Sequence, residues 1–490
     1  MNDRFDPALA GAVPPATAAG ASSARMQELF AAQRRAFAAD MSPSREVRVD
    51  RLDRLLRLTE EHQGEIVAAI SADFGHRSRH ETDLADIFIV ISGIRHTRRN
   101  VGRWMKPRHI ATPLHLLPAR SEVVPQPLGV IGVISPWNYP YQLAMLPAAA
   151  ALAAGNRVML KPSELTPRYS GLLQRIVAES FAADEFAVIP GDVEVGRAFA
   201  DLPFDHLFFT GSTAVGRQVA LAAAQNLTPV TLELGGKSPA IIDADCDIGV
   251  AAARLGFAKL LNAGQTCVAP DYMLVPRARI DEFVAAMQDA VAKMYPSFAG
   301  NPDYTSIVSD RHYQRLSRLV DDAVARGAQA IGLGVAGAGG DSVERKFAPT
   351  LLVGVADGMA VREEEIFGPV LPIVAYDTLD EALAYINARP RPLALYWFGR
   401  NSARRDHVLA STHSGGVTIN DACWHVCQEN LPFGGVGASG MGAYHGEHGF
   451  RTFTNEKAVL HQATLNGFGL FRPPYGRRFE AVISLLKRFF

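Results

Sequence analysis

At 490 residues the chain is longer than a single hydrophobic core usually supports, so two or more domains are expected. A formal charge of −1 with 48% apolar residues excludes a disordered chain, and it gives no overall field to gather nucleic acid or an anionic membrane. Four cysteines cannot make a disulfide framework for such a length; they point to a reducing, cytoplasmic setting in which an important cysteine acts as a thiol.

Residues 1–25 hold eight alanines, three prolines and two glycines, without the basic start and apolar run of a signal peptide, and read as a flexible tail. From Met26 to about Ala72 apolar residues recur at helical spacing (Leu52, Leu55, Leu56; Ile66, Ala69, Ile70), and Phe74-Gly75 supplies a stop. A second helical stretch runs from about Glu81 to Arg103, closed by Pro107. Val130–Ser135, β-branched and bounded by Pro127 and Pro136, predicts a fully buried strand. An alanine-rich helix from Leu143 to Ala154 follows, interrupted by Pro147 and too short for the roughly 20 residues that a membrane span needs. Next come a strand at Val158–Leu160, a helix at Pro167–Phe181, and strands at Phe186–Ile189, His206–Thr210 and Val230–Leu234. Such alternation predicts parallel βαβ units in a doubly wound sheet. A second α/β block spans about Gly235 to Tyr444, with helices at Ile280–Met294, Asp310–Arg326 and Asp380–Ala388 and a glycine-rich loop at Gly337–Gly340. The tail from Phe450 holds a strand-like run and a terminal helical pattern.

Two segments match the dinucleotide fingerprint G-x-G-x-x-G, Gly332–Gly337 and Gly435–Gly440, but neither is followed by a helix that could offer its amides, so both are read as loops. Leu207–Thr210 with the turn Gly211-Ser212-Thr213 and the helix after it is the better phosphate site, or else an ordinary βα turn. Cys267 lies among small and polar residues where a thiol can be approached. Cys246 reads as filler. Cys423 and Cys427 flank Trp424 and His425, but structural zinc sites normally need four ligands and no second cluster exists, so no metal is expected. Glu233, an acid at an apolar strand end, suits a base with a raised pKa, or an ion pair with Lys237. Asn138 lies just past the end of the strand 130–135, where open α/β sheets place ligands, though it could equally be a turn residue before Pro140.

Seven segments in order, PWNYP at 136–140, LKPSE at 160–164, FTGSTAVG at 209–216, LELGGKSP at 232–239, GQTC at 264–267, EEIFGPV at 364–370 and PFGGVGASGMG at 432–442, resemble the aldehyde dehydrogenase superfamily. The ending Gly442-Ala-Tyr444-His445-Gly446 resembles its aromatic and fatty aldehyde branch. The segments 73–81, 103–108 and 473–476 are similar to enzymes acting on coniferaldehyde. The resemblance implies two doubly wound Rossmann-like domains plus a small β oligomerisation arm. In residues these are a cofactor domain at 26–116 and 129–233, a catalytic domain at 234–445, and an arm and tail at 117–128 and 446–490. It implies Cys267 as nucleophile, Asn138 and the Cys267 amide as oxyanion donors, and Glu233 as the base that activates water. Lys161 and Glu164 would hold the adenosine ribose of NAD, with NADP left open by Lys161. Ser212 would contact phosphate, with Thr210 and Gly211 lining the cleft, and Glu365 would hold the nicotinamide ribose beside Phe367. Tyr139, Trp137 and Trp424 are expected to wall the pocket for an aldehyde, and the assembly is expected to be a homodimer.

Three rivals are weighed. Passing the acyl group to coenzyme A would leave Glu233 without a use. The basic run Arg95–Arg108, with six Lys/Arg, could suggest nucleic acid but reads as a solvated helix face. The final helix places Phe479, Val482, Ile483, Leu486 and Phe490 on one face, which fits a membrane surface or, preferably, a dimer partner.

Overall fold

Val130–Ile134 forms the middle of a six-stranded sheet, and burial on both sides is why its apolar residues run continuously instead of alternating. The computed structural model describes residues 16–334 and 340–489. In spatial order the strands are Gly440–Met441, Val230–Glu233, His206–Thr210, Val130–Ile134, Arg157–Lys161 and Phe186–Val188, all parallel except the first. The chain builds outward from Val130–Ile134 through Arg157–Lys161 to Phe186–Val188. It then crosses back to add His206–Thr210 and Val230–Glu233 on the other side. That reversal opens a crevice at the C-terminal ends of the central strands. Register sets Ile134 beside Lys161 and Phe209, and Thr210 beside Glu233.

A seven-stranded sheet forms the second unit, in the order Gln329–Gly332, Thr350–Val353, Val370–Tyr376, Tyr272–Pro276, Pro239–Ile242, Ala394–Phe398 and Gly416–Ile419; only the first strand is antiparallel. The helix Gln142–Ala153 is buried along its whole length. Its small side chains let it lie against the helices Arg45–Phe74 and Ile89–Trp104 on one side and the first sheet on the other.

A three-stranded antiparallel sheet joins Arg108–Ile110, Arg120–Pro127 and Thr454–His461, the last two paired over eight residues. It therefore takes in chain ahead of residue 117, while the helix Gly446–Thr452 packs on the helices of the first unit. The terminal helix Arg477–Phe489 rests against the short turn Gly467–Phe471.

The structure departs from the sequence pattern in several places. Helix begins at Ala16, so 16–25 belong to it, whereas residues 1–15 lie outside the described residues. The long helical pattern is two helices, Ala16–Ala39 and Arg45–Phe74, separated around Pro43, with Ser44 capping the second through the Val47 amide at 3.4 Å. Gly75 at φ 80° stops it, as its sequence suggested. The next stretch contains a six-residue π-helical segment, Asp83–Phe88, ahead of the helix Ile89–Trp104. The glycines at 335–339, including Gly337, lie outside the described residues. Gly435–Gly440 is a loop that ends in an edge strand, so no helix follows it. Four of the six basic residues of the run pair with acids elsewhere in the chain: Arg95 with Glu60 at 2.7 Å, Arg103 with Glu447 at 3.3 Å, Arg108 with Glu456 at 3.4 Å, and Arg98 with Asp53.

Candidate active site

After the helix Ile248–Leu260 the chain makes three successive left-handed residues, Asn262 (φ 54°), Ala263 (51°) and Gly264 (75°). For the two non-glycines this conformation costs about 1–3 kcal/mol each, so the surroundings must enforce it. At Gly264 a Cβ would lie 2.4 Å from the Gly368 carbonyl oxygen, so only glycine fits. The Gln265 amide holds the loop, donating to the Asn262 oxygen at 3.0 Å and the Ser306 oxygen at 3.1 Å and accepting from Val308 N at 2.9 Å. This loop presents Cys267 at the junction of two cavities, both of which it lines.

Asn138 is buried on the same side. Its Nδ2 donates to the Gln265 oxygen at 3.1 Å, and Asn262 Nδ2 donates to the Asn138 oxygen at 2.9 Å. One hydrogen of the Asn138 amide remains unused by these bonds. Glu233 ends its strand facing the same cleft; it is 3% exposed, and neither carboxylate oxygen has a partner. Burial holds its carboxyl well above the usual range. The alternative role in an ion pair is settled by Lys237, which bonds instead to the Asp271 carboxylate, the Val361 oxygen at 2.9 Å and the Glu364 oxygen at 2.7 Å. Burial also pushes the Cys267 thiol upward, and nearby Glu365, Glu233 and Cys423 add to the effect.

A cleft of about 250 Å³ extends from Cys267 over the sheet's switch point, and Thr210, Gly211, Ser212, Glu365 and Phe367 line it. Its donors suit a dinucleotide. Thr210 Oγ1 is buried without a partner, and the Cβ of any residue at Gly211 would come 2.5 Å from the Phe209 ring. Ser212 caps the helix Thr213–Gln225 by accepting from Val215 N at 3.4 Å, so the ordinary turn and the anion-facing helix start are the same structure here. Burial lifts the Glu365 carboxyl to about 7, helped by the charge of Asp271 and opposed by the Gly236 amide. Lys161, buried at its strand end, pairs with Glu164 at 3.1 Å; this pair stands outside the lining of the Cys267 cleft, at the neighbouring strand end. A Cβ at Gly235 would lie 2.2 Å from the Glu365 carboxylate. Gly235→Ala is accordingly expected to displace the Glu365 carboxylate; if Glu365 holds the cofactor as the resemblance implies, KM for NAD rises by roughly tenfold, the scale of one lost polar contact, as steady-state kinetics would show.

The second cavity, about 130 Å³, runs from Cys267 between Tyr139, Leu143, Trp424 and Phe433 to Leu84 and Phe88 at its far wall. Tyr139 is fixed by its hydroxyl against Thr266 Oγ1 at 2.6 Å, and Trp424 stacks on Phe257 with centroids 6.2 Å apart. Trp137 is a correction. It lines the larger cleft together with Pro136 and Asn138, edge-on to His312 at 5.2 Å and Phe367 at 5.5 Å, whereas Tyr139, two residues on, lines the smaller cavity. Cys423 and Cys427 border this smaller cavity, and Cys423 Sγ donates to the Val268 oxygen at 3.5 Å. Cys246 is buried away from both.

Several contributors escaped the sequence reading. Phe433 and Tyr444 lay within quoted motifs and carried that signal. Arg315, whose guanidinium donates to the Glu365 oxygen at 3.0 Å and to the Ile366 oxygen, and His312 carried none. Leu84 and Phe88 come from the π-helical segment, far away in sequence.

Cys267 thus lies between a polar cleft at the switch point and an apolar cavity, with the Asn138 amide and the unpaired Glu233 carboxyl lining the same cleft, an arrangement that suits an enzyme acting through a thiol. The chain belongs to the aldehyde dehydrogenase family, whose family model matches residues 3–459. It is 50% identical over 443 residues to a coniferyl aldehyde dehydrogenase of Pseudomonas sp. strain HR199, covering 90% of this chain and 92% of that one. Among solved structures, a substrate-bound state of Staphylococcus aureus AldH superposes with a TM-score of 0.88 at 38% identity, covering 94% and 99% of the two chains. An aldehyde dehydrogenase of Mycobacterium tuberculosis complexed with NAD+ gives 0.78 at 30% identity, covering 90% of each. Among the described residues no helix is long and apolar enough to cross a membrane.

Proposed function

We propose that this aldehyde dehydrogenase oxidises an aromatic aldehyde of the coniferaldehyde type to its carboxylic acid with NAD. The observation that carries this is Cys267 at the meeting point of a narrow cavity walled by Tyr139, Trp424 and Phe433 and a cleft furnished for a dinucleotide. The 50% identity to a relative named for coniferyl aldehyde supports the substrate class, and a flat ring gains most from such walls.

The Cys267 thiol gives its proton to water and, as the thiolate, adds to the aldehyde carbon. Asn138 and the Cys267 amide hold the oxyanion of the resulting thiohemiacetal. When bound, NAD accepts the hydride that leaves the substrate carbon. Collapse of the thiohemiacetal leaves a thioester on Cys267. Glu233 then takes a proton from water as its oxygen attacks the thioester, releasing the acid and regenerating the thiol.

Lys161 and Glu164 hold the adenosine ribose, and Glu365 with Phe367 the nicotinamide end. The Lys161 ammonium beside Glu164 tempers that carboxylate's repulsion of a 2′-phosphate, so NADP is the second cofactor to measure. The enzyme acts in the cytoplasm, consistent with its four free cysteines. The three-stranded sheet and terminal helix provide the pairing surface of a homodimer.

Medium-chain alkanals are the alternative substrates, since the walls are apolar throughout. A panel of kcat/KM values for coniferaldehyde, benzaldehyde and octanal, with NAD and NADP, tests the proposal. Coniferaldehyde with NAD is expected to lead octanal by roughly tenfold or more, the range that pocket contacts supply. A preference for octanal would overturn the aromatic assignment.

A further inference from the structure

The turn carrying Asn138 is fastened from behind by a buried ion pair that the catalytic scheme does not use. Arg77 is 1% exposed and Asp86 fully buried. Arg77 Nη2 approaches Asp86 Oδ2 at 3.0 Å, yet not in hydrogen-bond alignment, and none of the guanidinium nitrogens has a hydrogen-bond acceptor. A desolvated cation so poorly satisfied is a weak contributor to stability. Its contacts run toward the active site instead. The guanidinium lies 4.9 Å from the Tyr139 ring centroid and 5.3 Å from that of Phe74. Tyr139 in turn holds Thr266, the neighbour of Cys267, at 2.6 Å. Asp86 Oδ1 accepts from the amides of Tyr141 at 3.1 Å and Gln142 at 2.9 Å, which fixes the far end of the Asn138 turn.

Asp86 also belongs to the π-helical segment Asp83–Phe88, whose Leu84, Ala85 and Phe88 line the aldehyde-side cavity. π-Helical turns are rare and concentrate at functional sites. One buried pair thus shares the segment of the cavity wall, holds the turn that carries Asn138 and reaches the Cys267 loop through Tyr139.

We propose that Arg77 and Asp86 are positioning residues that set Asn138 and Cys267 relative to the wall of the substrate cavity. This rests on the roles given above to Asn138 and Cys267, but not on the identity of the aldehyde.

Arg77→Lys keeps the charge and loses the planar face over Tyr139. It is expected to lower kcat roughly ten- to a hundredfold, the scale of a small misplacement of reacting groups, while KM for NAD stays within about twofold. Hydrolysis of p-nitrophenyl acetate, which needs neither cofactor nor coniferaldehyde, is expected to fall in parallel. Combined with Tyr139→Phe, the loss is expected to be smaller than the product of the two single losses, because both act through Thr266. A folded Arg77→Lys enzyme with kcat within twofold of wild type overturns the proposal. So does a rise in KM for NAD that matches the fall in kcat, or strictly multiplicative losses in the double variant. If Arg77→Lys fails to fold, Asp86→Asn takes its place, with the same expected and contradicting outcomes for kcat, KM for NAD and ester hydrolysis. Failure of the nucleophile assignment itself would show separately, as ester hydrolysis left intact by Cys267→Ser.

Discussion

Cys267→Ser is expected to reduce NADH formation by roughly 10⁴-fold or more, the scale on which loss of a covalent nucleophile is felt. A serine hydroxyl is a far weaker nucleophile than a thiolate, and the alkoxide leaves a tetrahedral adduct differently. Because the loop geometry is set by Gln265 and the left-handed run 262–264, not by the sulfur, the variant should fold normally and bind NAD unchanged. Rapid-mixing absorbance at the NADH band, together with a binding titration, separates these effects. NADH formation within tenfold of wild type would remove Cys267 from the mechanism.

Glu233→Gln is expected to behave differently in kind. The first hydride transfer should proceed, giving a burst of about one NADH per active site, and turnover should then slow by about 10²–10⁴-fold, the span of general-base contributions. The amide fits where the carboxyl stood, since neither Glu233 oxygen has a protein partner to lose. Burial raises this carboxyl well above its ordinary value, and only its ionised form takes a proton. Wild-type steady-state rate should therefore fall as pH drops through a value higher than an exposed carboxyl would give, and that dependence should vanish from the residual rate of Glu233→Gln. Full steady-state activity in the variant would dismiss Glu233 as the base.

Much of the site was legible because it sits at strand ends. Asn138, Lys161, Thr210 and Glu233 all follow or close short buried strands whose apolar runs could be read directly, and parallel register then brings those ends together. What stayed hidden depends on packing between distant segments. Leu84 and Phe88 reach the cavity only because a π-helical stretch re-aims them, and nothing in their spacing distinguishes π from α. Trp137 was placed on the wrong side because a sequence gives neighbours but not the direction of a tight turn. The helix from Ala16 was hidden by the glycine and serines within its first turns and by Pro14-Pro15 just ahead of it, which read as a tail, and Arg108–Ile110 joined a sheet through pairing that its own composition does not announce.

The covalent step is tested most directly by intact-protein mass spectrometry of Glu233→Gln quenched in acid after mixing with coniferaldehyde and NAD. A stoichiometric mass increase equal to the acyl group, mapped to the Cys267 peptide and absent without NAD, is the expected result. Unmodified Cys267 in protein that has released its first equivalent of NADH would contradict a thioester on that residue.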